Sequence, residues 1–338
     1  MLSLIEALCA LPGAPGNEDA VRNYITESIK DYCDYKIDPL GNIIAHKKGK
    51  SAAARLLLLS AHMDEVGLII TAVEESGLLK FTALGGVDAS VMAGRRVFIG
   101  AAGVPGVVGT KPIHLLESEE REKPLKADTL CIDIGAENRE NALELVAPGD
   151  TATFEPGLTE FGDGLVRAKA LDDRVGCALL IELIRGELPY DCTFAFTVQE
   201  ETGCIGAKAA AFGVEPDIGI AVETTTAGDI VGTAPARRVC SLGRGPVISF
   251  MDKGTIYDRG LFDTAVAVAR KRDIPFQVKE GVFGGNESRS VQTAAAGARV
   301  LAVSLPCRYL HSPGSVLAKK DLQPTLTLLR GLIEKLGG

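Results

Sequence analysis

The sequence lacks several features that mark particular classes of protein. It contains no tryptophan and only 5% aromatic residues, so it offers few of the rings on which sugar-binding sites stack their ligands. It has no run of lysine and arginine, and its net charge is −8, which argues against nucleic acid or an anionic membrane as the main partner. No apolar run approaches the roughly 20 residues that a membrane-spanning helix needs.

The eight cysteines include no C-x-x-C pair. A chain of 338 residues can bury a large core without disulfides. Free thiols in a reducing compartment are therefore expected, which predicts a cytoplasmic protein. The N-terminal segment is apolar but carries Glu6 and has no basic region. It is predicted to form an amphipathic helix rather than a signal peptide.

The first 70 residues show helix and strand patterns, and the next 90 differ from them. Apolar residues at helical spacing predict a helix that ends at Pro12-Gly13, and Asn17 is predicted to cap a second helix. The apolar run 55–61 contains four leucines and predicts a strand buried on both faces. From about 70 to 161, short alternating runs separated by glycine-rich turns predict a small all-β module with no long helix.

After residue 163 the alternation of helix and strand returns. Helices are predicted at about 173–185, 262–272 and 322–336, and strands at 192–198, 218–222, 247–250 and 300–304. One further strand is predicted before the β module, at 41–45. An all-β block between two α/β segments predicts an α/β domain, with a mixed central sheet flanked by helices, into which a small β domain is inserted.

Five segments place acids or histidines at the end of a predicted strand or the start of a predicted helix. They are His62-Met63-Asp64-Glu65, Asp172-Asp173-Arg174, Glu200-Glu201, Glu223-Thr224 and Leu310-His311-Ser312. Ligand crevices of open α/β sheets lie at the carboxyl ends of the strands, so these segments are expected to converge. Two histidines and three carboxylates, with one acid to spare, suit zinc, cobalt or manganese. The set predicts a two-metal hydrolase, with Asp172 as the best placed bridging ligand and the spare acid as a base.

Each of these motifs has a commoner structural explanation when it stands alone. His62 resembles a structural histidine after a buried strand, Asp172-Asp173 a helix cap, and Glu200-Glu201 a solvated charged pair. Of the four histidines, His46 is expected at the surface, and His114 is expected to be structural. The prediction therefore depends on the combination of motifs.

Eight motifs that follow one another along nearly the whole chain point to a known family. They are Asp38-Pro39-Leu40-Gly41-Asn42, His62-Met63-Asp64-Glu65-Val66-Gly67, Lys111-Pro112-Ile113-His114-Leu115-Leu116, Asp133-Ile134-Gly135-Ala136, Ala170-Leu171-Asp172-Asp173-Arg174, Glu200-Glu201, Met251-Asp252-Lys253-Gly254 and Arg308-Tyr309-Leu310-His311-Ser312-Pro313. In this order they resemble the dinuclear-metal aminopeptidases of the tetrahedral (TET) type, the group that includes the glutamyl aminopeptidases. The resemblance implies removal of the N-terminal residue from short peptides.

The resemblance also implies a role for each candidate site residue. His62 and Glu223 would bind one metal, Glu201 and His311 the other, Asp172 would bridge both, Glu200 would be the general base that activates a bridging water, and Asp64 would orient His62. The expected cofactors are two divalent ions per subunit, zinc or cobalt, with manganese as a further candidate.

The family's organisation implies two domains and self-association. A catalytic metallopeptidase domain would comprise 1–68 plus 163–338, and 69–162 would form an inserted, barrel-like dimerisation domain. Dimers of the family often assemble into hollow dodecamers. The expected partners are thus peptide substrates and further copies of the chain, with no nucleic acid and no membrane.

Three positions depart from the family's commoner pattern. Val87 stands where tryptophan is common, Asn286-Glu287-Ser288 replaces a commoner Thr-Asp-Ala, and Glu223 stands where several relatives have aspartate. The preferred N-terminal residue stays open, although Arg244 or Lys253 could attract an acidic side chain. Two alternative functions also stay open at this point: a non-catalytic scaffold of the same fold, and a glycoside hydrolase built on the paired acids.

Overall fold

The structure is a computed structural model that describes the backbone of residues 1–338 and every side chain other than that of residue 120. The α-helices are α1 (Leu2–Ala10), α2 (Asp19–Ile29), α3 (Ala89–Met92), α4 (Ser118–Arg121), α5 (Arg139–Leu143), α6 (Leu171–Arg185), α7 (Ile205–Val214), α8 (Arg259–Lys271), α9 (Ser288–Gln292) and α10 (Leu322–Gly337). Short 3₁₀ helices lie at Ile113–Leu115, Ala127–Thr129, Pro235–Arg237 and Lys319–Asp321.

The strands form three sheets. They are β1 (Asp34–Ile37), β2 (Ile43–Lys47), β3 (Leu57–His62), β4 (Gly67–Val73), β5 (Leu79–Leu84), β6 (Arg96–Ile99), β7 (Val104–Gly109), β8 (Cys131–Asp133), β9 (Thr151–Phe154), β10 (Thr159–Phe161), β11 (Leu165–Ala168), β12 (Cys192–Thr197), β13 (Ile218–Thr226), β14 (Val247–Ile248), β15 (Gln277–Val278), β16 (Arg299–Cys307) and β17 (Ser315–Ala318).

The largest sheet has eight strands in the order β1-β2-β12-β3-β13-β16-β14-β15. Its central strands β12, β3, β13 and β16 run parallel to one another, and antiparallel pairs join β2 to β12 and β14 to β16. The sheet is therefore mixed, as predicted. A second, separate sheet has three strands in the order β10-β11-β17.

Helices cover both faces of the large sheet. Leu57 and Leu59 of β3 belong to the main core together with Leu179 of α6, whereas Leu58 belongs to a second core with Ala211 of α7 and Val291 of α9. Successive residues of a strand point to opposite faces, so an uninterrupted leucine run serves a strand that is buried on both sides. The prediction of a doubly buried strand is confirmed.

Strands β4, β5, β8, β7, β6 and β9 close into a barrel. Its core contains Leu68, Phe81, Val97, Ile132 and Phe154, each from a different strand. The longest described helix between β4 and β9 is α5, with 5 residues. The predicted β module without a long helix is therefore present.

Two details of the predicted elements are wrong. Asn17 does not cap α2, since its side-chain amide donates to Thr151 Oγ1 at 2.8 Å, and the cap position belongs to Glu18, whose side chain makes no capping bond. The Glu18 carboxylate instead accepts from the backbone N–H groups of Gly16 and Gln199. The strand predicted at 218–222 extends to Thr226, which places Glu223 inside the strand rather than after it.

Among the described residues, no helix combines the length and the apolar character that crossing a bilayer requires.

Candidate metal centre at the strand ends

The predicted site residues lie at the carboxyl edge of the large sheet. His62 is the last residue of β3 and pairs in register with Thr197, the last residue of β12. Glu200 and Glu201 follow Thr197 by three and four residues, and Glu223 lies in the second half of β13. Because these strands are parallel, their ends meet at one edge, where the crevice of an open α/β sheet lies.

Asp172 stands at the centre of the group, with its two carboxylate oxygens facing different histidines. Oδ1 lies 3.6 Å from His62 Nε2, and Oδ2 lies 3.4 Å from His311 Nε2. The neighbouring Asp173 uses its Oδ1 to accept the Gly176 backbone N–H at the start of the regular part of α6. Asp172 thus faces both histidines, and Asp173 caps the helix beside it.

A further acid lies near each histidine. Glu223 Oε2 is 3.8 Å from His62 Nε2, and Glu201 Oε2 is 3.4 Å from His311 Nε2. These separations exceed the 2.7–3.2 Å of an N–H···O hydrogen bond. Two ligand atoms that each lie about 2.0–2.1 Å from a tetrahedral ion are themselves roughly 3.4 Å apart. The spacing therefore fits ligands arranged around two ions better than direct histidine–carboxylate hydrogen bonds.

Asp64 contacts both His62, which it is predicted to orient, and the turn that carries the two glutamates. His62 Nδ1 lies 3.1 Å from the backbone carbonyl of Asp64 and 3.5 Å from its Oδ1. The Asp64 carboxylate accepts the backbone N–H groups of Glu200 and Glu201 at 2.9 and 3.0 Å. The carbonyl is therefore the closer partner of the imidazole, and the carboxylate holds the turn that carries the two glutamates.

Glu200 lies beside this group, half-buried, with a single described side-chain partner. Cys204 Sγ donates to its Oε1 at 3.0 Å. Burial raises the pKa of Glu200, whereas the charge of His62 and the Cys204 thiol act to lower it. A carboxylate whose pKa is raised toward neutrality is suited to take up and release a proton.

Sequence reasoning did not assign a role to two buried acids of this region. Asp173 and Glu287 are both fully buried. Glu287 accepts from Thr197 Oγ1 at 2.6 Å, and Asp173 lies close enough to His62 and Glu223 for the three to hold one ion. Glu287 lies in the segment that departs from the family pattern, but no local pattern predicts that its carboxylate is buried and bonded to Thr197.

The buried acids carry more negative charge than the described neighbouring side chains can balance. Asp173 Oδ2, Glu223 Oε1 and Glu287 Oε1 have no hydrogen-bond partner among the described residues. Burial raises the pKa of all three carboxyls, and it raises that of Glu201 to about 8. Isolated carboxylates are very unfavourable in a protein interior unless they are paired or bind metal. The donor set therefore fits divalent cations.

The charge on Asp172 and the histidines follows from their mutual contacts. Burial alone would lower the pKa of His62, but Asp172, Asp64 and Glu223 raise it well above its ordinary value. The Asp172 carboxylate raises the pKa of His311 to about 9. Burial opposes ionisation of Asp172, yet the two histidines hold its pKa below the ordinary range. Without metal, these contacts favour the protonated form of both histidines.

Comparison with known proteins agrees with this geometry. The sequence profile of the M42 glutamyl aminopeptidase family matches residues 41–328. A putative aminopeptidase of Acetivibrio thermocellus is 37% identical over 332 residues, which cover 97% of this chain and 97% of that protein.

Solved structures resemble the chain over almost its whole length. The TET aminopeptidase of the marine sediment archaeon Thaumarchaeota archaeon SCGC AB-539-E09 matches with a TM-score of 0.95 at 32% identity, over 99% of this chain and 96% of that one. The Pyrococcus horikoshii TET1 peptidase, which can assemble into a tetrahedron or a large octahedral shell, matches with a TM-score of 0.87 at 35% identity, over 98% of each chain. The chain therefore belongs to the M42 glutamyl aminopeptidase family and is a hydrolase that acts on peptides.

Proposed function

We propose that the chain removes the N-terminal residue of short peptides with the help of two divalent cations. The observation that carries the proposal is the position of Asp172, whose two oxygens face His62 on one side and His311 on the other. A carboxylate placed between two nitrogen ligands is suited to bridge two ions about 3.5–4 Å apart.

In this proposal, each ion has its own ligand pair in addition to the bridge. His62 and Glu223 would hold one ion, and Glu201 and His311 the other. Asp173 would support the first site, since it can approach the same ion as His62 and Glu223. Zinc and cobalt suit these nitrogen and oxygen donors, and manganese is a further candidate.

Glu200 is proposed as the general base. Bound divalent ions lower the pKa of a water ligand and polarise the scissile carbonyl. The Glu200 carboxylate would accept one proton from the attacking water and then donate it to the nitrogen of the leaving peptide as the C–N bond breaks. Asp64 contributes by fixing the backbone N–H groups of Glu200 and Glu201, which sets where the base stands.

The proposal extends to domain organisation and location. Residues 1–68 plus 163–338 would form the catalytic domain, and 69–162, which contain the barrel strands β5 to β9, would mediate dimerisation. The TET-type neighbours, one of which assembles into a tetrahedron or an octahedral shell, support assembly into a closed oligomer such as a dodecamer. All eight cysteines are free thiols, which supports the cytoplasm as the location.

The test is hydrolysis of a panel of aminoacyl-p-nitroanilides by the purified protein. Activity is measured as isolated, after chelation, and after return of zinc, cobalt or manganese. We expect cleavage that is lost with the chelator and restored by at least one metal.

Two control substrates separate the alternatives. An N-acetylated peptide should stay intact, because an aminopeptidase requires a free N-terminus. Hydrolysis of a cellulose-type substrate that survives chelation would instead favour a glycoside hydrolase. No cleavage of any peptide by protein that binds metal would favour the scaffold.

A further inference from the structure

A basic cavity opens directly beside the candidate metal centre. Its volume is about 480 Å³, and its lining includes Arg95, Arg167, Tyr309 and His311. His311 belongs to the metal centre, where its Nε2 lies near Asp172 and Glu201. The cavity and the centre therefore share a wall, so one substrate molecule can occupy both.

The two guanidinium groups of this cavity are not neutralised by the protein. Arg95 Nε donates to the Val91 carbonyl at 3.2 Å, and Arg167 Nη2 donates to the Pro313 carbonyl at 3.3 Å. Neither lies within 4.0 Å of a carboxylate oxygen among the described side chains. By contrast, several other arginines form ion pairs with described acids, as Arg308 does with Asp229 at 2.7 Å.

One acid, Asp88, also lines the cavity. Its carboxylate accepts from the backbone N–H and the hydroxyl of Ser90, and these bonds lower its pKa. It therefore stays ionised and caps α3. Two guanidinium groups against one carboxylate still leave the cavity with a net positive charge.

The backbone around Arg167 makes room for its side chain. A Cβ added at Gly314 would lie 3.1 Å from Arg167 Nε, so a larger residue there would displace the guanidinium. A Cβ added at Gly86 would likewise lie 3.1 Å from His311 Nδ1. Both glycines line the cavity, so a side chain at either position would crowd Arg167 or His311.

We propose that this cavity binds a carboxylate of the peptide substrate through Arg95 and Arg167, and that the bound group is the free C-terminal carboxylate of a di- or tripeptide. The inference rests on the proposed aminopeptidase function. An extended residue spans at most about 3.3–3.6 Å, so a carboxylate one or two residues beyond the scissile bond lies within the reach of a cavity that adjoins His311. Planar guanidinium groups are the preferred partners of a carboxylate.

The test compares substrates that differ in one charge. Leu-Ala and Leu-Ala-amide are identical except at the C-terminus, and release of leucine from each is followed by chromatography on the metal-loaded protein. We expect kcat/KM to be about tenfold or more higher for the free acid, with the difference mainly in KM, because a charge-assisted hydrogen bond strengthens binding.

Single variants of the two arginines assign the effect. Arg167→Met and Arg95→Met should each reduce several-fold the ratio of kcat/KM for the free acid to kcat/KM for the amide, and Arg167→Lys should restore part of this ratio. Arg96→Met is the matched control. Arg96 is adjacent in sequence and equally charged, but it pairs with Glu155 outside this cavity, so this variant should keep the full preference.

The results separate several outcomes. Leu-Asp-amide tests whether an acidic side chain can serve instead of the C-terminal carboxylate: recovery of the preference on this substrate would assign the cavity to side chains and overturn the assignment to the C-terminus. Equal rates for Leu-Ala and its amide, or a preference that survives both arginine variants, would overturn the proposal. The N-terminal residue of both dipeptides is replaced by the one that the p-nitroanilide panel prefers where that is not leucine. Failure to cleave either dipeptide after this choice would overturn the proposed function itself.

Discussion

Two clusters of buried charge lie next to each other in this protein and are balanced in different ways. The buried triad comprises Glu65, Lys169 and Arg174, with Lys169 Nζ 2.5 Å and Arg174 Nη2 3.4 Å from the same Glu65 oxygen. The acid cluster comprises Asp64, Asp172, Asp173, Glu200, Glu201, Glu223 and Glu287, and the described histidines beside it are His62 and His311. The clusters are neighbours in sequence at Asp64-Glu65 and at Asp173-Arg174.

In the buried triad, the polar groups find their partners within the protein. Arg174 also donates to the carbonyls of Met63 and Leu8, and Lys169 donates to that of Leu11. These bonds tie the end of α1 to the segment that follows His62. The acid cluster, in contrast, leaves three carboxylate oxygens without a partner among the described residues. Removal of one partner from a satisfied buried ion pair destabilises the fold, whereas carboxylates that are buried without a partner favour a bound cation or a bound proton.

The largest expected effect is on activity and comes from the acid cluster. Glu200→Gln removes the proposed base but keeps the shape of the side chain, and we expect kcat to fall by about 10²–10⁴-fold. The metal content, measured by elemental analysis, should stay the same, because Glu200 is not among the proposed ligands. The exposed Glu187→Gln serves as a control for loss of one carboxylate. Turnover near normal in Glu200→Gln would remove this residue from the base role.

The triad should show the opposite behaviour. Glu65→Ala leaves Lys169 and Arg174 buried without their acid, and removal of one partner of a buried ion pair typically costs about 3–5 kcal/mol. We expect a loss of that size in the free energy of unfolding, measured with urea on the metal-free protein. In the acid cluster, Glu287→Gln should be neutral or stabilising under the same conditions, since it removes a buried charge. Equal losses in both variants would contradict the distinction.

The bridging role of Asp172 gives a third expectation. Asp172→Asn removes the carboxylate that faces both histidines, so binding of both ions should weaken together, by about 10–100-fold or more. Calorimetric titration of the metal-free variant with zinc measures the two sites. Glu223→Gln is the matched comparison, because it should weaken one site more than the other. A defect confined to one site in Asp172→Asn would count against a bridge.

Much of this arrangement could be predicted from the sequence. The leucine run of β3, the glycine-punctuated barrel strands and the acids at strand ends are local patterns, and parallel strands bring their ends to one edge by geometry alone. The family resemblance supplied the separate roles of Glu200 and Glu201, which spacing alone did not distinguish.

Other features depend on contacts between distant segments. The carboxylate of Asp64 binds backbone groups 136 and 137 residues away, and Glu287 reaches Thr197 across 90 residues. Nothing in the local sequence distinguishes a buried Glu287 from a solvated one. The same holds for Asn17, whose residue type favours a helix cap but whose amide bonds to Thr151 of the barrel. A tertiary contact overrode the local preference.

The smallest expected effect concerns the stability of the metal-free protein. It is on the order of 1 kcal/mol per pH unit for the buried Glu201 and less for His311, whose side chain is 38% exposed and therefore screened by solvent. The folded-state pKa of Glu201 rises from about 4.5 to about 8, and that of His311 from about 6.5 to about 9. Between these values the folded chain binds more protons than the unfolded chain. Stability is therefore highest at the acid end of this range and should fall as the pH rises from about 5.5 to 8.5.

Two comparisons, with zinc-loaded protein and with one variant, show whether the fall in stability with rising pH arises in the acid cluster. Zinc binds deprotonated ligands, so the loaded protein should gain stability relative to the metal-free protein as the pH rises. Glu201→Gln should flatten part of the fall in metal-free stability with pH. Burial lowers the pKa of Lys169, which changes stability with pH in the opposite direction. Because Lys169 is present in both proteins, its contribution cancels when the variant is compared with the unmodified chain. Urea midpoints at several pH values measure the stability of the metal-free protein, the zinc-loaded protein and the Glu201→Gln variant. A metal-free stability that is flat or rises over this range would mean that the pKa values of Glu201 and His311 are not raised in the folded chain.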